Sequence, residues 1–403
     1  MIGTRHVVNR LDTNSDKTDM PVAPVPERPP VRVCHVLWRL SPSGGIPRVV
    51  RDLAAHADPA SVEPSVVTVR SLLADDRLDE VIAPERMGSG GHGLRARRAH
   101  LAVAVPRIAR QVRRFDPDIV HLHSGTSWLG MPGALVTPSA VRLLDVHDDP
   151  LSGRSSSLNV ASMRLSVQRL RCNVVTHSTV VRDRTADAFG LDAHDVALVP
   201  LGVDTTSYRP DARRRSETRA ALDLSDRPVV VWVGRLDPLK RPLDAVHVGQ
   251  MLARAVPGAM LLIAGSGPLL AEVQAAAGNC DAVRVLGYVD DLGGLLSAAD
   301  LYLSTSSYEG FGLSVAEAMA SGLPVVSTRA GGVVDLVTEG VGALTDVGDV
   351  EALASAVERL LADPGRLAAM GTDAREATVD RFSVQSMVAG YERLYRSLLT
   401  GGR

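Results

Sequence analysis

The chain has 403 residues, of which 45% are hydrophobic, and this is enough apolar content for two domain cores. A net charge of −2 and only 3% aromatic residues leave neither a basic field nor stacking platforms for nucleic acid. No stretch reaches the roughly eighteen uninterrupted apolar residues of a membrane span. The three cysteines lack the CxxC spacing of a zinc site. We therefore expect a cytoplasmic protein without disulfides.

Residues 1–30 are polar, end in a proline-rich run and lack the apolar core of a signal peptide, so we expect a disordered leader. From Val31 onward, short apolar runs alternate with helix-like stretches, which is typical of parallel α/β domains. The strands predicted for the first half are Val31–Leu37, Pro64–Val69, Asp118–His123, Arg142–His147, Asn173–His177 and Val196–Pro200. Helical periodicity covers Ile46–Ala57, Ala99–Phe115 and Ala161–Arg171.

A polar run from Thr205 to Asp226 separates this half from a second alternating series. Its predicted strands are Pro228–Val233, Met260–Ala264, Val283–Leu286, Leu301–Ser304 and Pro324–Ser327, and its predicted helices are Leu243–Ala255, Leu269–Ala277, Ser314–Met319 and Val350–Leu361. Two such halves, joined by a hinge at residues 203–208, would leave a cleft between the carboxyl ends of two sheets. Ligands bind at that edge in open α/β sheets.

Two glutamates lie eight positions apart after the fourth strand of this series: Glu309 in a glycine-flanked loop, and Glu317 on a helix that begins near Leu313. Gly310 and Gly312 allow the backbone to approach a ligand closely or to adopt positive φ. The helix directs its unpaired N–H groups back at the loop. An anion site beside two carboxylates suits a ligand with phosphates and many hydroxyls, such as a nucleotide-sugar.

Two cations, Arg235 and Lys240, follow the first strand of the second half across a proline-containing turn, and they can converge on a diphosphate. Of the 44 lysines and arginines, only Lys17 and Lys240 are lysines, and Lys17 lies in the leader. An ammonium and a guanidinium are not interchangeable at a tight phosphate site. We therefore expect Lys240 to take part in the chemistry.

The glutamate segment resembles the E-x7-E signature of retaining glycosyltransferases with the GT-B fold, in particular glycosyltransferase family 4 (GT4). The further elements in the family's order are Pro200–Asp204, Val233–Lys240, Ala264–Leu269, Leu286–Val289 and Ala330–Gly332, whereas the first half matches only at Ser43-Gly44-Gly45 and a few strand ends. The resemblance implies two Rossmann-like domains facing each other across a cleft. Residues 31–204 would form the acceptor-side domain, residues 205–382 the nucleotide-sugar domain, and a C-terminal helix within residues 383–403 would cross back onto the first.

The resemblance also assigns roles to single residues. Glu317 would bind the ribose hydroxyls, Glu309 with the backbone of residues 310–312 the donor sugar, and Arg235 and Lys240 the diphosphate. His147 matches a family histidine near the anomeric carbon. The remaining donor-binding residues are expected to be Gly44, Gly45, Gly265, Gly267, Tyr288, Val289, Gly310, Phe311, Gly312 and Leu313. Asp335 stands where the family commonly has glutamate, and it either contacts the ligand or caps a helix.

No metal or other cofactor is expected. Asp116-Pro117-Asp118 fits the D-x-D metal motif of the other major glycosyltransferase fold, but Pro117 makes the segment a turn that precedes a strand. His121 and His123 flank a strand end and, with no third ligand at a suitable spacing, are interpreted as structural. Arg235, Lys240 and a helix dipole would supply the positive charge instead.

The implied function is retaining transfer of a hexose from a nucleotide-sugar to a hydroxyl acceptor, by a front-face mechanism. UDP-N-acetylglucosamine is the first choice of donor and GDP-mannose the second; the acceptor would be a small molecule, a lipid or a saccharide. Three alternatives stay open: a nucleotide-sugar 2-epimerase, a non-catalytic nucleotide-sugar binding protein, and a pyridoxal phosphate phosphorylase, whose Schiff base would need Lys240.

The basic stretch from Arg95 to Arg114 would permit peripheral contact with anionic lipid, although a solvated helix face is the preferred interpretation. The arginine-rich, lysine-poor composition indicates a GC-rich bacterial genome. Neither feature identifies the acceptor.

Overall fold

The computed structural model describes residues 29–40, 44–71, 106–123, 136–152, 157–278 and 280–401. These residues form two six-stranded sheets, one in each half of the chain. All paired strands within the sheets are parallel. Parallel strands need crossover connections, and most of those in the described ranges contain a helix. The α/β class expected from the sequence is confirmed.

The first sheet has the strand order β2-β1-β3-β4-β5-β6. Its strands are β1 (Val31–Leu40), β2 (Val62–Ser71), β3 (Ile119–His123), β4 (Val141–Val146), β5 (Asn173–Thr176) and β6 (Val196–Leu198). The helices of this half are α1 (Gly45–His56), α2 (residues 106–115), α3 (Ser157–Leu170) and α4 (Thr179–Phe189). Every strand predicted for this half is present.

The second sheet has the order β12-β11-β10-β7-β8-β9. Its strands are β7 (Val229–Val233), β8 (Met260–Ala264), β9 (Val283–Gly287), β10 (Leu301–Ser304), β11 (Val325–Thr328) and β12 (Gly342–Thr345). Its helices are α5 (Ala212–Ala221), α6 (Pro242–Ala255), α7 (Leu270–Ala277), α8 (Leu292–Ala298), α9 (Leu313–Ala320), α10 (Val333–Leu336), α11 (Val350–Leu361) and α12 (Pro364–Arg381), followed by α13 (Val384–Thr400).

Successive side chains of each strand face two different hydrophobic clusters, as expected for sheets covered on both faces. In β1, Val36 belongs to one cluster with Ile108 of α2, whereas Val33 belongs to another with Leu53 of α1. The cluster that contains Val33 continues into the other half of the molecule, where it includes Phe311. One apolar core therefore spans both halves beneath the cleft.

The chain passes between the halves twice, and the two crossings lie side by side. Val203 and Ser383 form an isolated parallel bridge. Arg375 of α12 donates a hydrogen bond of 2.8 Å to the carbonyl oxygen of Tyr208. The predicted hinge, residues 203–208, is thus held beside the second crossing.

Helix α13 returns to the first half, as the resemblance implies. Tyr391 and Tyr395 are buried there, and Glu392 accepts a hydrogen bond of 3.1 Å from the backbone N–H of Asp58. We propose on this basis that residues 31–204 and 205–382 are the two domains.

Some predictions lie wholly or partly outside the described residues: residues 1–28 of the leader and the first part of the basic stretch, up to residue 105. In α2, Ile108 and Val112 are buried while Arg107, Arg110, Arg113 and Arg114 are exposed. Within the described ranges, no helix is both long and apolar enough to cross a bilayer.

Candidate functional site

The predicted site residues lie at the carboxyl ends of strands in both sheets. In the second sheet, Arg235 follows β7, Gly265 and Gly267 follow β8, Tyr288 and Val289 follow β9, and Glu309 follows β10; in the first, Gly44 and Gly45 follow β1 and His147 follows β4. Carboxyl ends of parallel strands share one edge of a sheet. Contacts between the halves bring the two edges together around one cleft.

Glu309 is buried and forms an ion pair with Lys240, one of the predicted diphosphate-binding cations. The same carboxylate oxygen, Oε1, accepts a hydrogen bond of 2.7 Å from Ser306 Oγ. Thr305 Oγ1 donates to the carbonyl oxygen of Lys240 at 2.9 Å, so the loop after β10 is tied to the turn after β7. A cation and a carboxylate therefore stand side by side, where a sugar diphosphate needs one partner for its phosphates and another for its hydroxyls.

Arg235 is the more exposed of the two predicted cations. Its side chain is 71% exposed, and its Nε lies 3.3 Å from Asp237 Oδ2. Exposed ion pairs of this kind contribute only about 0–1 kcal/mol. The guanidinium can therefore leave Asp237 for an anionic ligand at little cost.

The loop between Glu309 and α9 passes against the first half of the molecule. A Cβ added to Gly310 would lie 2.2 Å from the carbonyl oxygen of His147, so a side chain cannot fit there without movement. Ser178 Oγ donates a hydrogen bond of 2.7 Å to the carbonyl oxygen of Gly310. Gly312 has a φ of +102°, a left-handed conformation that favours glycine. The loop predicted to contact the donor sugar thus lies directly beside His147.

Helices α1 and α9 begin close to one another, one from each half. A Cβ on Gly45 would lie 3.6 Å from Leu313 Cδ1. Phe311 is buried edge-to-face against Phe382, with ring centroids 5.8 Å apart, so its side chain is structural and only its backbone can serve a ligand. The N–H groups at the start of each helix favour an anion between them.

The loops expected near the nucleotide are joined by a backbone hydrogen bond of 2.7 Å from Gly265 N–H to the carbonyl oxygen of Gly287. Tyr288 is 73% exposed, whereas Val289 packs partly against the core. The aromatic ring of Tyr288 is therefore accessible to a ligand.

Glu317 has a partner that the sequence analysis missed. Its side chain is 8% exposed and forms an ion pair with Arg48 of α1, in the opposite half. The ring of Tyr208 lies 5.7 Å from the guanidinium of Arg48, and its hydroxyl lowers the pKa of Glu317. Burial raises the pKa of Glu317, and Arg48 opposes this shift. The first turn of α1, the hinge residue Tyr208 and helix α9 thus meet at the carboxylate of Glu317.

The statement that His121 and His123 have no third potential ligand nearby is wrong. His35 and His121 are direct neighbours on the adjacent strands β1 and β3, and ring nitrogens of His35, His121 and His123 lie within 4.8 Å of one another. His123, Asp145 and His147 form a second such group. His35 Nδ1 lies 3.1 Å from His123 Nε2, a hydrogen-bonding distance for two neutral imidazoles. The structural interpretation of His121 and His123 stays a prediction.

Asp145 connects His147 to the crossing helix α13. The Tyr391 hydroxyl donates to Asp145 Oδ2 at 2.7 Å, and Oδ1 lies 2.8 Å from His177 Nε2 and 3.3 Å from His147 Nε2. The other ring nitrogen of His177 lies 2.9 Å from the carbonyl oxygen of Val199, so both of its nitrogens face acceptors. That arrangement fits a protonated His177 paired with an ionised Asp145.

The pKa shifts in this cluster follow from burial and from Asp145. Burial lowers the pKa of His35 and His147, and lowers that of His121 to about 4. Burial also disfavours a charge on His177, but Asp145 outweighs it and raises the pKa of His177. Burial alone would raise the pKa of Asp145, yet the nearby histidines hold it well below its usual value. The cluster is therefore mostly neutral imidazole around one ion pair.

Asp335 accepts hydrogen bonds at the start of a helix in the opposite half, which supports the capping role considered for it. Its Oδ2 accepts from the backbone N–H of Thr179 at 2.6 Å and its Oδ1 accepts from Thr179 Oγ1 at 2.6 Å. Thr179 is the first residue of α4, so the carboxylate binds at the positive end of that helix. A short acidic side chain at position 335 thus joins the two walls of the cleft.

Asp116 and Asp118 lie before the start of β3, at the edge of the first sheet opposite the strand ends that carry His147. Asp118 Oδ2 accepts a hydrogen bond of 2.9 Å from the backbone N–H of Arg32, and the carbonyl oxygen of Asp116 accepts from Arg32 Nη1 at 2.8 Å. These contacts tie the D-x-D segment to Arg32 at the start of β1, far from the proposed donor site.

Two family descriptions match the chain: Glycosyl transferases group 1 over residues 214–377, and Glycosyltransferase Family 4 over residues 43–207. The GDP-mannose-dependent alpha-(1-6)-phosphatidylinositol monomannoside mannosyltransferase of Mycolicibacterium smegmatis is 32% identical over 74% of this chain and 82% of its own length. The D-inositol 3-phosphate glycosyltransferase of Segniliparus rotundus is 33% identical over 57% of this chain and 53% of its own length.

Solved structures share the fold. The Anabaena protein Alr3699/HepE in complex with UDP is 22% identical, with a TM-score of 0.72 over 91% of this chain and 100% of that one. A glycosyltransferase from Rickettsia africae is 19% identical, with a TM-score of 0.76 over 93% of this chain and 100% of that one. This chain therefore belongs to glycosyltransferase family 4, has the GT-B fold, and transfers a sugar from a nucleotide-sugar donor.

Proposed function

We propose that the protein transfers a hexose from its nucleotide-sugar to a hydroxyl acceptor with retention of configuration and without a metal ion. The observation that carries the proposal is the Lys240–Glu309 pair, which is held at the strand ends of the second half while the same loop contacts His147. Lys240 and Arg235 stabilise the charge that grows on the leaving diphosphate, and Glu309 binds the sugar. His147 borders the reacting carbon.

Retention is favoured by the positions of the carboxylates in the first half. Inversion needs a base on the acceptor side of the sugar, and Asp145 cannot serve because it is fully buried against Tyr391 and His177. The exposed Asp148 lies beside the loop at Gly310 and is the one to test. In the front-face route, a diphosphate oxygen held by the two cations accepts the proton of the acceptor instead.

Proton NMR of the fresh product decides the stereochemistry. For a gluco-configured sugar, retention from an α-configured donor gives a small anomeric coupling, and a large coupling would overturn the mechanism. The Asp148→Asn variant is expected to keep most of its activity. Its inactivation would point to a base at that position and to inversion.

The donor is proposed on two grounds that point to different sugars. UDP-N-acetylglucosamine is the first choice from the sequence resemblance, whereas the Mycolicibacterium relative favours GDP-mannose. Thermal unfolding in the presence of each nucleotide-sugar separates them, since a ligand that binds only the folded state raises the apparent stability. Stabilisation by neither, at concentrations that saturate related enzymes, would reject both donors.

An assay without acceptor addresses the alternatives. A nucleotide-sugar 2-epimerase would convert the donor alone, while a non-catalytic binding protein would turn over neither the donor alone nor the donor with an acceptor. We expect transfer that depends on the acceptor. Conversion of the donor in its absence would favour the isomerase.

A further inference from the structure

Arg48 reaches across the cleft to Glu317, the carboxylate that is expected to bind the ribose of the donor. It lies in the first turn of α1, in the first half, and its Nη1 pairs with Glu317 Oε1 on α9, in the second. Their side chains are 24% and 8% exposed, so neither group has water as its main partner. The ring of Tyr208 lies against this pair, 5.7 Å from the guanidinium of Arg48. Residues of α1, the hinge and α9 therefore pack together at this ion pair.

A buried carboxylate depends on such partners. Without an opposing charge, burial favours the protonated carboxyl group. A protonated carboxyl group accepts weaker hydrogen bonds than an ionised carboxylate does. An ionised carboxylate offers about four acceptor positions. Arg48 occupies one of them, which leaves Glu317 able to accept from two adjacent hydroxyl groups.

We propose that Arg48 is a positioning residue of the nucleotide site: from the opposite wall it keeps Glu317 ionised and oriented for the two ribose hydroxyls. The inference rests on the proposed function and on the ribose-binding role that the family resemblance implies for Glu317. Because Arg48 and Glu317 belong to different halves, the ribose site is complete only while the halves are closed. Nucleotide recognition is thereby coupled to closure of the cleft.

The test compares a nucleoside diphosphate with its 2′,3′-dideoxy analogue. Both are titrated calorimetrically into the full chain, using UDP and GDP pairs, in a buffer with a chelator. The wild type is expected to bind the ribonucleotide at least about tenfold more tightly, since hydrogen bonds to a charged group each contribute about 1.5–3 kcal/mol. In Arg48→Ala this preference is expected to fall to near one, while the affinity for the dideoxy nucleotide changes little.

The ratio of the two affinities separates positioning from a merely structural role, because a general loss of folding would weaken both ligands alike. Glu317→Gln is expected to lose the preference as Arg48→Ala does. Arg51→Ala, on the same helix, is the matched control and keeps the ratio. Should Arg48→Ala fail to fold, Arg48→Lys retains the charge without the planar fork and is expected to show a partly reduced ratio.

The outcomes distinguish this inference from the proposed function. A wild type with no preference for the ribonucleotide would remove the ribose role of Glu317, and the inference with it. A wild-type preference that survives unchanged in Arg48→Ala would overturn the role of Arg48 alone. Tighter binding of the ribonucleotide by Arg48→Ala would mean that Arg48 competes with the ribose, which also overturns the proposal.

Discussion

The buried histidines of the first half predict a loss of stability in mild acid. In the folded protein, burial lowers the pKa of His35, His121 and His147, for His121 to about 4. In the unfolded chain, the pKa of histidine is about 6.5. Between that value and the folded pKa, the unfolded state binds more protons than the folded state, so the free energy of unfolding falls as the pH falls.

Two further members of the cluster, His177 and Asp145, offset this effect only in part. His177 has a raised pKa, so the stability it contributes is fully present below about 6.5 and is lost only as the pH rises through its folded pKa. Asp145 has a lowered pKa, so its contribution persists until the pH falls through a value well below 3.8. Between about pH 6.5 and pH 4, the fall in the free energy of unfolding therefore comes mainly from the neutral histidines.

The magnitude follows from counting those protons. A histidine that stays neutral when folded loses about 1.4 kcal/mol of stabilisation between pH 7.5 and pH 5.5. Three such histidines give about 4 kcal/mol, and a His177 that keeps its proton when folded offsets up to about 1.4 kcal/mol of this over the same interval. This is a large share of the roughly 5–15 kcal/mol that stabilises a typical domain.

Urea unfolding at several pH values, followed by far-UV circular dichroism, measures the effect. His121→Gln removes one titrating group and is expected to reduce the acid loss by about 1.4 kcal/mol. His247→Gln replaces an exposed histidine on α6 and is the matched control. A free energy of unfolding that changes by less than about 1 kcal/mol between pH 7.5 and 5.5 would show that these histidines are not held neutral.

Three further predictions concern the cleft. Lys240→Ala and Arg235→Ala are each expected to lower kcat/KM about a hundredfold or more, since each removes charge that stabilises the leaving diphosphate; near-normal rates in both would contradict that role. Chelation is expected to leave turnover unchanged, and inactivation that magnesium or manganese reverses would show a metal requirement. Asp335→Ala removes the hydrogen bonds to Thr179 that join the two walls of the cleft and is expected to give the unliganded protein a more open X-ray scattering profile, with rotation near residues 203–208; an unchanged profile would indicate a rigid cleft.

The sequence predicted most strands because each is a short apolar run bounded by turn residues. β8 and β10 have the predicted bounds, Met260–Ala264 and Leu301–Ser304. It did not predict β12, Gly342–Thr345, whose four residues begin with glycine and carry little apolar signal. Local pattern thus identifies strands that are rich in apolar residues better than edge strands of this kind.

The site residues that belong to local motifs were also predictable, whereas contacts across the cleft were not. Glu309 and Lys240 belong to recognisable local motifs. Arg48 and Glu317 are 269 positions apart, and no local pattern links them. A usable signal existed for the histidine cluster: neighbouring parallel strands β1, β3 and β4 each carry histidine or aspartate near the same edge, where their side chains must meet.

The scarcity of lysine has a practical consequence. In the whole sequence only Lys17 and Lys240 carry a side-chain amine, and Lys240 is the one predicted to contact the diphosphate. Mild acylation would therefore have few targets, and intact-mass spectrometry could count them. A bound donor would shield Lys240, so the mass distribution would report occupancy of the cleft. Lys240 can thus serve as a chemical probe of ligand binding.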